Sequence, residues 1–404
     1  MQEDFHYYAT YCAAYLAGYS HQESMAICYS AQFVDLCTRT FLESVGGPSS
    51  AATTQLQLEM VDARTDTAGL ADITRIWSSF HFLPKDLYAE VRGGKRYQNK
   101  YRLICGPNGS LVADTVKLAK DRGEEAVGVA MHVLADTWAH QHFAGTPSLV
   151  INNTGYHFYE ILGTGEKTAE RHIQFRHNPA APDDLKAGKY TNTIYQSSEK
   201  NIMNLGHGRA GHLPDYSFIR YRYMPAWGEY REVIKDNPSD YMQAFCQMVY
   251  AMRYLRGDYP DFELDTYDRE TVAPHADRIN QILTVRRLDA CADWKAFGEE
   301  LSGQVIDDFD LKLYQKEYLG ADKEKKDETF LGRFFLAALR HKSMVTNRIY
   351  TSGNNLAGIS IDYKAGGFQG IEDFAGLVDA ATESTIRDTA DELLQRTEKE
   401  GEDK

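Results

Sequence analysis

Hydrophobic residues recur with a helical period along most of the chain. The stretch FHYYATYCAAYLAGYS, which begins at Phe5, predicts a first helix that ends at Gly18. Ser20 and Glu23 have the spacing of a capping box and predict the start of a second helix, which we expect to run through Arg39. The short turn between the two helices predicts an antiparallel hairpin.

Further helical patterns alternate with segments rich in turn-forming residues. A helix or turn through Trp77 ends before Pro84, and a helical pair from about Asp114 is broken at Gly123. Aromatic-rich helical segments span residues 238–256 and 273–309. Glycine, serine, alanine and threonine predict a loop over residues 46–67, and glycine, proline and asparagine predict long functional loops with short helices over residues 145–215.

The C-terminal part begins with a charge run, ADKEKKDET from Ala321, which predicts a solvated linker. LGRFFLAALRHKSMV then predicts an amphipathic helix whose apolar face packs in the core. IYTSGNNLAGISIDY predicts a hairpin, and a charged helix is expected to end the chain. The pattern therefore predicts a mainly α protein, with a multi-helical domain over residues 1–320 and a smaller C-terminal helical extension over 321–404.

Composition narrows the possible partners. The 404 residues are 43% hydrophobic and 12% aromatic, enough for a large core, and the formal net charge is -14. This acidity argues against binding to long nucleic acids or anionic membranes, which requires clustered lysine and arginine. MQEDFHYY lacks the features of a secretory signal, and no long apolar run predicts a transmembrane segment, so we expect a cytoplasmic protein.

The cysteines do not predict a disulfide framework or a thiolate zinc site. None of the six forms a CxxC pair, and all are expected to be reduced and mostly buried. They are Cys12, Cys28, Cys37, Cys105, Cys246 and Cys291.

The stretch HVLADTWAHQHFAG carries polar groups in an otherwise apolar helix. His132, Asp136 and His140 follow at i, i+4 and i+8, so their side chains form one stripe and can meet at one point. Burial of such groups is costly unless they are paired or bind a metal, and imidazole and carboxylate are zinc ligands. A hydrogen-bonded aspartate and histidine pair is the alternative. His142 points elsewhere unless the helix ends there, in which case a second metal could bind it.

Other polar residues repeat this anomaly. Asp35 lies on a mostly apolar face of the second helix, where a carboxylate requires a cation. His81 is flanked by phenylalanines ahead of Pro84 and could turn into a pocket, although a single histidine is often structural. His6 opens the first helix of the hairpin that also carries Asp35, so these two could be neighbours.

The loop GHGRAGHLPD combines His207, Arg209, His212 and Asp215 between glycines. Such a loop could bring ligands close to a polar centre, and Arg209 could clamp a phosphate oxygen by bidentate hydrogen bonds. The alternative is a glycine-rich surface turn with incidental histidines.

Taken together, Asp35, the HF dipeptide at His81, and HxxxD at His132 and Asp136 followed by His142 resemble the zinc-dependent phospholipase C and single-strand nuclease superfamily. The motifs cover roughly residues 1–220. The signatures FHYY, AQFVD, DTWAHQ and GHLPD also resemble a related, largely uncharacterised bacterial branch. The resemblance implies an all-helical fold that holds three zinc ions in a cleft.

The resemblance also implies a set of ligands. One zinc would be bound by Asp35, His81, His132 and Asp136, a second by His6 together with Asp136, and a third by His142. Secreted members of the superfamily add a freed N-terminal amine, a contact that the sequence does not predict for Met1. They also use a histidine and a glutamate one helical turn apart, for which the GHGRAGHLPD loop is preferred here over His157 and Glu160.

These observations lead to a hypothesis of a zinc-dependent phosphoesterase of the phospholipase C or nuclease type. A metal-bound hydroxide would attack phosphorus, Asp136 would bridge metals or orient the hydroxide, and Arg209 would offset charge in the transition state. Given the acidity, a small-molecule or lipid phosphodiester is the expected substrate. The chain has no HExxH motif, which disfavours a zincin peptidase. It also has no HD dipeptide, which disfavours the nucleotide phosphohydrolase class built on that motif.

Two alternatives stay open at the level of sequence. A non-catalytic protein could keep a helical metal site for folding or partner binding, since only a catalytic site needs an open coordination position. Iron or manganese could replace zinc, because histidine and carboxylate ligands suit all three. The sequence does not decide between His140 and His142 as ligand or fix the oligomeric state.

Overall fold

The computed structural model of this chain describes residues 1–56, 67–90, 101–146, 154, 157–163, 167–176, 182–192, 206–228 and 231–354. The described residues form a mainly α-helical protein with a small β-sheet, which confirms the predicted class. The α-helices are α1 Thr10–Leu16, α2 His21–Phe33, α3 Arg39–Val45, α4 Thr67–Phe80, α5 Ser110–Ala119, α6 Glu124–Ala139, α7 Gly206–Ala210, α8 Asn237–Arg256, α9 Arg269–Val272, α10 Ala276–Thr284, α11 Cys291–Ser302, α12 Gln315–Gly320 and α13 Phe330–Thr351.

The N-terminal hairpin forms as predicted, with a π-helical first segment. The π-helix spans Asp4–Ala9 and continues directly into α1. Gly18 has a φ of 92°, in the left-handed region that favours glycine, and it allows the chain to reverse. Ser20 accepts a hydrogen bond from the Glu23 amide while the Glu23 carboxylate accepts one from the Ser20 amide, which confirms the capping box.

The second helix is shorter than predicted. It ends at Phe33 rather than Arg39, and Asp35 lies in the turn that follows instead of on a helical face. Side chains explain this end: Thr53 donates its hydroxyl to the carbonyl of Val34, and Thr38 accepts from the amide of Phe41 and so caps α3. Both threonines lie outside the hydrophobic pattern on which the prediction depended.

Helices α2, α6 and α8 pack at the centre of the molecule, and α6 is buried along nearly its whole length. Helix α6 approaches α2 closely at Gly128, where an added Cβ would lie 2.4 Å from the carbonyl oxygen of Ile27 in α2. A helical glycine is therefore required for these two backbones to meet. Their packing fixes the positions of the polar residues that both helices carry toward one end.

The prediction of loops and short helices over residues 145–215 is wrong in part, because this region contributes four strands. The pairs β1–β2, β1–β5 and β5–β6 are antiparallel, with sheet order β2-β1-β5-β6, whereas β3 and β4 form a parallel pair. Stacked aromatic rings cover the sheet; the Phe158 and Tyr223 centroids are 5.1 Å apart. Strands this short give no readable alternation. They are β1 Tyr159–Leu162, β2 Ala169–His172, β3 Gln174–Arg176, β4 Lys189–Thr191, β5 Arg220–Tyr223 and β6 Val233–Asp236.

Helix α13 packs its apolar face into the main core, as predicted, with Phe334, Ala338 and Val345 buried. The preceding charge run forms an exposed 3-10 helix, Lys323–Glu328. Because α13 reaches Thr351, the first residues of the predicted hairpin are helical, and residues 352–354 follow as a turn. The rest of the predicted hairpin and the predicted C-terminal helix lie outside the described residues. The division at residue 320 stays a prediction. Within the described residues, no helix is both long and apolar enough to cross a membrane.

Candidate metal centre

Polar side chains from six separate segments converge at the end of α6. The π-helix contributes His6, the turn after α2 contributes Asp35, and His81 directly follows α4. The remaining members are His132 and Asp136 within α6, His140 at its C-terminal cap, His207 in α7, and Asp215 at the end of the 3-10 turn Leu213–Asp215. The Met1 amine completes the group.

Asp136 is the hub of this centre. Its Oδ2 atom lies 3.2 Å from His81 Nδ1 and 3.3 Å from His132 Nε2, and its Oδ1 atom lies 3.1 Å from His6 Nε2. Asp35 approaches the same imidazoles, with carboxylate oxygens 3.7 Å from His81 Nδ1 and 3.9 Å from both His6 Nε2 and His132 Nε2. The predicted stripe thus meets His6, Asp35 and His81 at one place.

Main-chain carbonyls orient three of the imidazoles. His132 Nδ1 donates to the carbonyl of Ala31 across 2.9 Å, and His81 Nε2 donates to the carbonyl of Thr53 across 3.0 Å. His140 Nδ1 donates to the carbonyl of His81 across 2.8 Å. A carbonyl only accepts, so these nitrogens carry the protons, and in a neutral ring the other nitrogen presents a lone pair to the centre.

A second group lies beside the first. Asp215 Oδ1 is 3.1 Å from His140 Nε2 and 3.2 Å from His207 Nε2, and the potential ligand atoms of this trio lie within 4.8 Å of one another. His212 Nδ1 is 3.5 Å from Asp215 Oδ2, but the His212 side chain is 57% exposed and lies at the rim. The GHGRAGHLPD loop therefore places two histidines and an aspartate at the centre or its edge.

The α-amino group of Met1 joins the two groups. It donates to Asp136 Oδ1 across 2.8 Å and lies 3.3 Å from both Asp215 Oδ1 and His140 Nε2. The sequence did not predict that the Met1 amine would lie at this centre. The contact uses a main-chain amine, which every chain has, so no pattern of side chains could have indicated it.

Burial and neighbouring charges determine the protonation of the centre. Burial lowers the pKa of His132 and of His140 to about 4, so both rings are neutral near pH 7. Burial also opposes ionisation of Asp136, but the imidazoles once they gain a proton in acid, His140 foremost, and the Met1 ammonium 2.8 Å away outweigh it and hold the pKa of that carboxyl well below its usual range. Burial raises the pKa of Asp35.

His142 is not brought to this centre. It has a φ of 80° and follows the end of α6, and its ring stacks on Trp227 with a centroid distance of 5.5 Å. Among the described residues, the potential metal-binding groups include His140 and leave His142 out. Glu160 is also elsewhere, since its buried carboxylate is paired with Arg171 and Arg286. The preference for the GHGRAGHLPD loop over His157 and Glu160 agrees with this geometry.

Arg209 lies in α7, between His207 and His212 in the chain. Its side chain is 6% exposed, and its carbonyl accepts a hydrogen bond from the Asn192 side chain. This contact ties the loop that carries His207 to the end of β4. The burial of Arg209 places its charge inside the protein rather than on the surface.

The residues fit a metal site on chemical grounds. His132 and His140 are neutral, and their lone-pair nitrogens face carboxylate oxygens that carry no proton to donate. The contact of His132 Nε2 with His81 Nδ1, across 3.4 Å, is different, because the hydrogen bond to Asp136 and the charge of Asp35 outweigh burial and raise the pKa of His81. A neutral imidazole nitrogen and an ionised carboxylate oxygen repel across such distances, and a cation between them turns the repulsion into coordination. The carbonyl bonds on the far nitrogens are the outer contacts typical of metal-binding histidines.

The chain was compared with models of protein families, with curated proteins and with solved structures. Residues 1–349 match the model of a protein family described as a family of unknown function, DUF6765. No curated protein matches the chain, and no solved structure matches it. The matched range includes every residue of the centre described above. Because the match extends over most of its length, the chain belongs to the DUF6765 family.

Proposed function

We propose that this protein is a metal-dependent hydrolase of phosphodiesters that uses zinc bound at the centre around Asp136 and Asp215. The observation that carries the proposal is the orientation of three buried imidazoles. Each of His81, His132 and His140 donates one ring nitrogen to a main-chain carbonyl and turns the other toward shared carboxylates. Such pre-orientation is costly in a folded core without a cation.

The ligand assignment follows the three groups of side chains. His6, Asp35 and His132 form one group, His81, His132 and Asp136 the second, and His140, His207 and Asp215 the third. Zinc held there would act as a Lewis acid that offsets charge on phosphate oxygens and makes a water molecule more acidic. Iron or manganese would bind to the same donors.

The protein residues have roles of their own in this proposal. The carbonyls of Ala31 and Thr53 keep His132 and His81 in the tautomers that face inward. Asp136 accepts a hydrogen bond from the Met1 amine and holds that amine between itself and Asp215. Asp35, with a side chain 29% exposed, and His207, at 19%, lie on the solvent-facing side, so a substrate would approach there.

The choice of substrate is supported by the motif resemblance and by charge. The pattern of Asp35, His81, His132 and Asp136 resembles zinc phospholipases C and nucleases, which act on phosphodiesters. The net charge of -14 disfavours a long polyanion. We therefore propose a small or lipid phosphodiester, with Arg209 as the cation that offsets charge on the phosphate in the transition state.

The test is hydrolysis of bis(p-nitrophenyl) phosphate and p-nitrophenyl phosphorylcholine by the zinc-loaded protein. Turnover should fall by about 10²-fold or more in Asp136→Asn. It should be unchanged in Asp322→Asn, which alters an exposed aspartate far along the chain. A zinc-loaded wild type that hydrolyses neither compound would contradict the proposal.

A non-catalytic metal site is the second candidate, and burial favours it. His6, His132 and Asp136 are 0–1% exposed, as expected for ligands that close around a structural ion. The same variants separate the two functions. If the metal has only a structural role, Asp136→Asn would lower metal content and thermal stability, and neither the wild type nor this variant would hydrolyse a phosphodiester.

A further inference from the structure

A cluster of cations lies next to the metal centre, in an otherwise acidic protein. Its members come from three elements: Arg39 begins α3, Arg75 lies in α4, and Lys342 lies in α13. The packing of α13 on α4 brings the last two together, and a hydrogen bond of 2.8 Å from His341 Nε2 to the carbonyl of Ser79 fixes this packing. We call these three residues the cationic cluster.

Little negative charge offsets the cationic cluster. Arg39 is paired with Asp72, which lies one turn before Arg75 on the same face of α4. Neither Arg75 nor Lys342 forms an ion pair with a residue that the structure describes, and the Arg75 Nε atom is buried without a hydrogen-bond partner there. Burial lowers the pKa of Lys342, and repulsion from Arg39 and Arg75 contributes to a value of about 8.

The segment Ala51–Thr53 connects the cationic cluster to the metal centre. Lys342 Nζ donates to the carbonyl of Ala52 across 3.1 Å, and the next carbonyl along the chain, that of Thr53, accepts from His81. The Thr53 amide donates to the carbonyl of Cys37, two residues before Arg39 and two after Asp35. One short segment therefore contacts the cationic cluster through Ala52 and the metal centre through Thr53.

Solvent reaches the cationic cluster. The side chains of Arg39 and Asp72 are 33% and 30% exposed, and those of Arg75 and Lys342 are half-buried. Half-buried guanidinium and ammonium groups with few acidic partners bind oxyanions well, because the charge is partly desolvated and several N–H donors are available.

We propose that the cationic cluster is an oxyanion-binding subsite that holds a phosphate group of the substrate beside the metal centre. The role toward substrate rests on the proposed function, whereas the binding of phosphate itself does not. The subsite would select phosphodiesters that carry a second phosphate, and it would give an acidic protein a local attraction for an anionic ligand.

The experiment is a calorimetric titration of the full-length protein, as purified, with inorganic phosphate. The variant Arg75→Gln with Lys342→Gln should weaken phosphate binding by about tenfold or more, with metal content unchanged. The control is Arg340→Gln with Arg348→Gln, which removes the same charge from the exposed side of α13. It should bind phosphate as the wild type does.

Three outcomes overturn the proposal: no phosphate binding by the wild type, equal weakening in both double variants, or unchanged affinity in Arg75→Gln with Lys342→Gln. If that variant fails to fold, Arg75→Lys and Lys342→Arg keep the charges and should retain binding, whereas each glutamine variant alone should weaken it. Equal affinity in the charge-retaining and glutamine variants also overturns the proposal.

A kinetic comparison separates this proposal from the proposed function. In Arg75→Gln with Lys342→Gln, KM should rise for a p-nitrophenyl phosphodiester that carries a second, terminal phosphate and stay unchanged for bis(p-nitrophenyl) phosphate. If the wild type is inactive but binds phosphate, and the double variant binds it more weakly, the proposed hydrolase function is wrong and the phosphate-binding subsite is supported. If the wild type is active and the double variant has the same phosphate affinity and KM, the hydrolase function is supported and the phosphate-binding subsite is wrong.

Discussion

His132 donates its Nδ1 proton to the main-chain carbonyl of Ala31 across 2.9 Å, so a residue of α6 is oriented by the backbone of α2. The bond leaves Nε2 facing Asp136 and Asp35, and it requires the two helices to approach closely. The packing of α2 against α6 therefore determines the orientation of a potential metal ligand, and changes to this packing should alter metal binding.

Gly128→Ala tests that connection. Alanine normally stabilises a helix relative to glycine, by roughly 1 kcal/mol. Here the new Cβ would lie 2.4 Å from the Ile27 carbonyl oxygen, so we expect a net loss of about 1–3 kcal/mol in the free energy of unfolding. We also expect weaker zinc binding, measured by competition with a chromophoric chelator.

The matched control is Gly320→Ala, because nothing lies within 4 Å of the added Cβ at that position. It should leave zinc affinity close to wild type, and it should not lower the free energy of unfolding. A Gly128→Ala protein with wild-type zinc affinity would show that the approach of α2 to α6 does not determine the geometry of His132.

The assignment of His140 over His142 can be tested with paired alanine variants. His140 lies 3.1 Å from Asp215 Oδ1, whereas His142 stacks on Trp227, away from the carboxylates. His140→Ala should lose about one metal ion per chain, and His142→Ala should lose none. The measurement is the metal content of the two variants, purified side by side, by mass spectrometry. Loss of metal in His142→Ala but not in His140→Ala would assign His142 as the ligand instead.

Arg209→Ala should reduce turnover of a model phosphodiester by about 10²-fold while the metal is retained. The reason is the loss of a cation that we propose to offset charge on the phosphate in the transition state. Initial rates, together with metal content on the same sample, provide the test. Unchanged turnover in a folded, metal-loaded variant would remove Arg209 from the mechanism.

His341 should make the protein sensitive to acid. Burial lowers its pKa from 6.5 to about 4, so the unfolded chain binds a proton in this pH range more readily than the folded one. The free energy of unfolding should therefore be unaffected by His341 above pH 6.5 and should fall as the pH drops from 6.5 to 4. At pH 5 the loss attributable to this residue is about 2 kcal/mol.

Urea unfolding of the wild type and of His341→Gln at pH 7 and pH 5 measures this effect. The variant should lose less stability between the two pH values, by about 2 kcal/mol. His172→Gln, which alters an exposed histidine on β2, should behave as the wild type does. An equal loss in wild type and His341→Gln would contradict the explanation.

Much of the helical fold follows from local sequence signals. The Ser20 and Glu23 capping box, the break at Gly123 and the apolar face of α13 are each encoded within a few residues. The end of α2 is not, because Thr53, 19 residues after Val34 in the chain, takes up the Val34 carbonyl. Strands of three or four residues were missed because their pairing partners, not their own pattern, define them.

The same contrast applies to the centre. Residues whose chemistry conflicts with an apolar setting, such as His132, Asp136 and Asp35, could be found from the sequence alone. The Met1 amine and the carbonyls of Ala31 and Thr53 could not, because every residue has a backbone and only the folded chain selects which atoms converge. The cationic cluster was missed because its members lie in three elements that only tertiary packing brings together.

The central claim is that this centre holds metal, and elemental analysis by plasma mass spectrometry tests it most directly. The protein should be purified without an affinity-tag metal or a chelator. We expect roughly two or three zinc ions per chain, and the loss of most of them in His132→Ala with Asp136→Ala, which leaves only the group of His140, His207 and Asp215 intact. A wild type that carries no metal, and takes up none on titration with zinc, iron or manganese, would contradict the account.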